Sequence, residues 1–60
     1  MKWNEMKRLA VANGFRFVAS RGKHDEYFNE DTGITILLER HGSQEVRTGL
    51  MNRLLKQIKR

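Results

Sequence analysis

Sixty residues without a cysteine make one domain at most and exclude both disulfides and thiolate metal sites. Twelve Lys and Arg against seven Asp and Glu give a formal charge of +5 and a pI near 10.3, so polyanions are the natural partners. No apolar run approaches a membrane span, and Lys2 with the charges from Glu5 to Arg8 interrupts any secretory signal; a cytoplasmic protein without membrane association is expected.

In chain order, the first element is a helix over Trp3 to Asn13. Trp3, Met6, Leu9 and Ala10 fall on one stripe, with Glu5, Lys7 and Arg8 outside it. Asn4 is the expected cap at its start, and Asn13-Gly14 closes it, because glycine adopts the left-handed conformation that ends many helices. FRFVAS then alternates Phe15, Phe17 and Ala19 with Arg16, Val18 and Ser20, the period of a strand. Arg21-Gly22-Lys23 is a turn, and HDEYF, His24 to Phe28, is a second strand.

Asn29 to Gly33 forms a hairpin loop, and ITILL, Ile34 to Leu38, a third strand with Ile34, Ile36 and Leu38 on one face. ERHGSQEVR reads as irregular. From Thr48 a second helix places Leu50, Met51, Leu54, Leu55 and Ile58 on one arc, with Arg53, Lys56, Lys59 and Arg60 outside it.

Short turns make consecutive strands antiparallel neighbours, and one apolar stripe per helix requires both helices to cover the same face of the sheet. The expectation is an α+β fold over residues 1–60: helix, three-stranded antiparallel sheet, helix, the arrangement of double-stranded-RNA-binding domains.

Few residues can carry chemistry. There is no glycine-rich phosphate loop, and two histidines are too few for a histidine zinc site, so no metal and no cofactor are expected. Asp25-Glu26 are strand neighbours that point to opposite faces, and Glu30-Asp31 lie in a turn. His24 remains, a group that exchanges protons near neutral pH at the start of the second strand. Taken alone, a histidine in such a place is more often a surface residue than a catalyst.

Pairing Phe28 with Ile34 and His24 with Leu38 gathers Arg21, Lys23 and Arg40 beside it, which suits a phosphodiester. It also leaves His41 three residues past the pairing, roughly 10 Å along the chain at about 3.3 Å per residue. Whether His41 is a catalytic partner, a phosphate ligand or a packing residue stays open.

Three blocks of the chain resemble the HicA family of bacterial toxin messenger-RNA interferases: NEMKRLAVANGF, RGKHDEY, and RHGSQEVRTGLMNRLLKQ. The resemblance spans essentially the whole chain. It implies that His24 is the catalytic base and Gly22 the turn glycine beside it. It also implies ribosome-independent cleavage of messenger RNA and inhibition by a HicB-type antitoxin. Arg21, Gly22, Lys23, Arg40, His41 and Arg47 are the candidate RNA-binding residues.

Three positions depart from the family pattern: Lys23 stands for a common serine, Asp25 for a second histidine and Glu39 for a frequent proline. Asp25 therefore removes a second imidazole from the strand. Most of the few aromatic residues are expected in the core, so weak base preference follows. The competing reading is a non-catalytic RNA-binding module of the same fold.

Overall fold

The computed structural model describes residues 1–59; Arg60 lies outside the described residues. The elements run α1 (Trp3–Ala12), β1 (Phe15–Arg21), β2 (His24–Asn29), β3 (Ile34–Glu39) and α2 (Thr48–Ile58). The strands form one antiparallel sheet in the order β1-β2-β3. This is the α+β arrangement expected from the sequence.

One core joins the sheet to both helices. Trp3, Met6 and Ala10 from α1 and Leu54 and Ile58 from α2 meet Phe15, Tyr27, Ile36 and Leu38, with Met6 and Leu38 wholly enclosed. Because side chains alternate along a strand, the opposite face carries His24, Glu26 and Phe28 from β2 and Thr35, Leu37 and Glu39 from β3. That face is left uncovered, and Leu37 is half exposed. Among the described residues no helix is long and apolar enough to cross a membrane.

The start of α1 differs from expectation. Lys2, not Asn4, holds the cap position, and its N–H donates to the Glu5 carboxylate at 3.0 Å. Asn4 instead lies in the first turn, where its amide occupies the space a side chain at Gly42 would need. The stretch after β3 is more ordered than its composition suggested. It runs back along the N-terminus with an antiparallel bridge between Lys2 and Glu45, and it buries Val46 in the core. The Trp3 and Asn4 N–H groups, which have no partner within the helix, donate to the carbonyls of Gln44 and Gly42 at 3.1 and 3.0 Å. In α2, Leu50 leaves the expected apolar arc and is 39% exposed.

Two further corrections concern the strands. The pairing of β2 with β3 is offset by one residue from the expected register: Asn29 faces Ile34 and His24 faces Glu39. Asn29 causes the offset. It is buried, its Oδ1 accepts from the Asp31 and Thr32 N–H groups, and its Nδ2 donates to the Asn13 carbonyl at 3.0 Å. It therefore extends β2 and closes the hairpin loop from within. A one-residue slip moves every side chain to the other face, so His24 shares a face with Glu39 rather than with the core residue Leu38.

In β1 the expected alternation fails at Val18. Phe17 faces Tyr27 and Ala19 faces Glu26, which leaves Val18 as the extra residue of a bulge. Phe15 is buried, whereas Phe17 makes an edge-on contact with Tyr27 at 5.9 Å between ring centroids and stays 54% exposed on the outer strand. Beyond the bulge, Ser20 falls opposite Asp25 and Arg21 opposite His24.

Candidate active site

Two residues, Gly22 and Lys23, connect β1 to β2, and Arg21 faces His24 across them. Gly22 has φ +59°, and among the described residues only glycines take positive φ, a pattern that matches a type II′ hairpin turn with glycine first. The turn is fastened to the end of β3. The Arg40 N–H donates to the Lys23 carbonyl at 3.0 Å, and the Arg40 guanidinium donates from Nη1 to the Gly22 carbonyl at 2.9 Å. The first of these bonds makes His24 and Glu39 a non-hydrogen-bonded pair, the geometry that brings facing side chains closest.

Behind the turn, on the helix-facing side, Asp25 gathers partners from α1, from β1 and from the residue that follows β3. Its carboxylate accepts from Ser20 Oγ at 2.8 Å and from Lys7 Nζ at 3.4 Å, and it lies 3.7 Å from Arg40 Nε. The Ser20 hydrogen bond is the main reason its pKa falls below the ordinary aspartate value. Partial burial opposes the fall, and Lys7 and then Arg40 reinforce it. Nearby, burial pushes the Tyr27 phenol upward, and the Asp25 charge adds to that rise, which keeps the phenol neutral.

In front of the turn, on the uncovered face, His24 is exposed and lines a cleft of about 550 Å³. The cleft lies where the sheet meets the segment leading into α2. Leu37 and Glu39 come from β3; Gln44, Glu45 and Arg47 come from the following segment; and Leu50 closes the wall from α2, with Trp3 beneath. An imidazole, a guanidinium and two carboxylates thus share one open depression with Leu37 and Leu50 on its walls. Among the described residues no group of three or more His, Cys, Asp or Glu is placed to hold a metal ion.

The expected site residues divide by position. Arg21, Gly22 and Lys23 surround His24 in sequence and space, and Arg47 reaches the same cleft from a distant part of the chain. Arg21 lies on the His24 face but is engaged with Glu26 at 3.0 Å. Arg40 holds the turn from the opposite side, through Gly22 and Asp25. His41 is exposed in the turn after β3, where its carbonyl accepts from the Gln44 N–H at 3.1 Å, and it is not among the residues lining the cleft.

Sequence reasoning missed Leu37, Glu39, Gln44, Glu45 and Leu50 as cleft residues. For Glu39 a signal existed: the pairing register alone, once Asn29 is counted into β2, places it opposite His24.

No curated protein and no solved structure matches the chain. The family described as HicA toxin of bacterial toxin-antitoxin systems matches residues 3–59, from the first residue of α1 to the end of α2 and beyond. With nearly its whole length covered in this way, the chain belongs to the HicA toxin family.

Proposed function

We propose that this toxin is a metal-independent endoribonuclease of the cytoplasm that cleaves messenger RNA without the ribosome and uses His24 as general base. The single observation that supports this most is the position of His24, exposed in a cleft that also takes in Arg47 and stands in front of a pinned glycine turn. A proton-transfer group needs reach to its substrate, and a nearby cation offsets charge gathering on phosphoryl oxygens.

In this reading, neutral His24 takes the proton of a ribose 2′-hydroxyl. The 2′-oxygen bonds to the adjacent phosphorus, and the bond from phosphorus to the 5′-oxygen breaks. The products are a 2′,3′-cyclic phosphate and a 5′-hydroxyl, whose proton comes from the Lys23 ammonium. Arg47 and Lys23 meet the phosphate, while Arg21 and Arg40 add positive potential as they hold strand and turn. The Gly22 peptide lets the backbone approach closely, and His41 extends the surface along which RNA lies. General-base help is worth about 10² to 10⁴ in rate, and DNA, which lacks the attacking hydroxyl, is inert. A HicB-like antitoxin partner inhibits by covering this cleft.

The test is a gel of labelled RNA with wild type and His24→Ala. Wild type cleaves in the presence of a chelator; the variant binds RNA with similar affinity, leaves it intact and no longer arrests growth. RNA bound but uncut by wild type, free of inhibitor, would identify a binding module instead. Affinity for RNA should fall steeply with salt, since phosphate contacts dominate.

A further inference from the structure

The carboxylates of this basic protein are nearly all accounted for. Glu5 caps α1, Asp25 holds Ser20, Lys7 and Arg40, Glu26 pairs with Arg21, Glu30 with Arg16, and Glu45 with the amino group of Met1. Among the described residues only Asp31, in the hairpin loop, and Glu39 have no such side-chain partner. Glu39 lines the cleft, directly across from His24, and no hydrogen bond or ion pair joins the two side chains. A carboxylate beside a phosphodiester site opposes binding of the RNA backbone, so its presence there calls for a partner that is a donor.

We infer that Glu39 reads a guanine base of the substrate, an inference that rests on the ribonuclease reading above. A carboxylate is an acceptor with two oxygens. On the Watson–Crick edges of the four RNA bases, only guanine offers two adjacent donors, its ring N1–H and its exocyclic amino group. Adenine and cytosine set an acceptor nitrogen beside their one amino group, and uracil flanks its one N–H with carbonyl oxygens. Each of these three would turn a lone pair toward Glu39.

The walls suit a base as well. Leu37 and Leu50 are among the exposed large apolar side chains of the protein, and both face this cleft. They offer apolar contact to an unstacked base, whose Watson–Crick edge is then free for hydrogen bonding, as in single-stranded RNA recognition. Arg47 on the same wall takes the phosphate, and His24 the 2′-hydroxyl of the same nucleotide. Cleavage then falls on the 3′ side of guanosine, in place of the weak preference that composition suggests.

The test uses the whole protein and two independent readings. Calorimetric titration with guanosine 3′-monophosphate, against the adenosine, cytidine and uridine counterparts, measures the subsite without any reaction. The guanine nucleotide should bind about 5- to 150-fold more tightly, the range of one good bidentate contact. Glu39→Gln should bring it down to the level of the others, with an unchanged circular dichroism spectrum showing that the fold is intact. Glu39→Ala should do the same. Equal affinity for all four nucleotides, or a guanine preference that survives both substitutions, overturns the inference.

Mapping of cut ends on a mixed-sequence RNA supplies the second reading. Cuts 3′ of guanosine in wild type, with that bias lost in Glu39→Gln, support the subsite; cuts without guanosine bias remove it and leave the ribonuclease reading standing. A guanine preference in titration with RNA left whole supports the subsite and removes the ribonuclease reading.

Discussion

The Arg40 guanidinium donates to the carbonyl oxygen of Gly22 at 2.9 Å, so the end of β3 holds the turn that delivers His24. Arg40 is also 3.7 Å from Asp25, which is itself bonded to Ser20 and Lys7. A residue that composition marks as one more phosphate ligand is thereby part of the frame around the histidine.

Removing this clasp has a defined outcome. Arg40→Ala loses one charge-assisted hydrogen bond at a half-exposed position and should lower stability by about 1 kcal/mol, seen as an earlier urea midpoint with an unchanged slope. Arg40→Lys keeps the charge but not the planar fork, and it should restore little of the loss. Full recovery with lysine would mean that the charge alone matters.

Asp25 makes stability depend on acid. Its pKa in the folded protein is lowered, so the stabilisation it brings is complete above its ordinary value of 3.8 and fades as pH falls from there through the lowered folded value. Asp25→Asn should therefore melt below wild type at pH 7, and the two curves should draw together as pH falls below 3.8. A gap in melting temperature that stays constant down to pH 2 would remove Asp25 from this role.

The two glycines beside the site should fail for opposite reasons. At Gly22 a methyl group meets no atom, but φ is +59°, so Gly22→Ala costs about 1–2 kcal/mol through the backbone alone. At Gly42 the backbone imposes no positive φ, yet a methyl group would overlap the Asn4 amide. Gly42→Ala should then be relieved by adding Asn4→Ala, whereas Gly22→Ala should not respond to it. A double-mutant cycle on unfolding free energies measures the coupling.

Leu38 is wholly enclosed, and Leu38→Ala leaves a cavity worth about 2–5 kcal/mol. A domain of this size has about 3–5 kcal/mol of stability from its core to spend. The variant should be largely unfolded by circular dichroism at 25 °C. A cooperative melt near the wild-type temperature would show that the site collapses around the smaller side chain.

Much of the fold was legible in the sequence because its signals are local. The stripe of Trp3, Met6 and Ala10, the Asn13-Gly14 stop and the alternation of Ile34, Ile36 and Leu38 each need only a few neighbouring residues to be read. The site was legible only as a cluster around a turn. Its faces depend on register, and register turned on Asn29, a polar residue that closes the loop with its own side chain and so belongs to the strand. An asparagine four residues ahead of a turn glycine is a recognisable signal for such a loop, and weighing it would have put Glu39 opposite His24. The Lys7 and Ser20 contacts of Asp25 carry no such mark, since they join residues 18 and 5 positions away through the packing of α1 and the bulge in β1.

Val18 acts as a half-step in the phase of β1. Upstream of it, odd-numbered side chains point toward the helices; downstream, even-numbered ones do, which is why Ser20 reaches Asp25 and Arg21 stays on the histidine side. A chain lacking this one residue would pass straight from Phe17 to Ala19 and keep Ala19 opposite Glu26, Ser20 opposite Asp25 and Arg21 opposite His24, with the glycine turn and the second strand unaltered. The bulge therefore absorbs one residue in an outer strand, adding local bend and twist without changing which charge stands next to the imidazole.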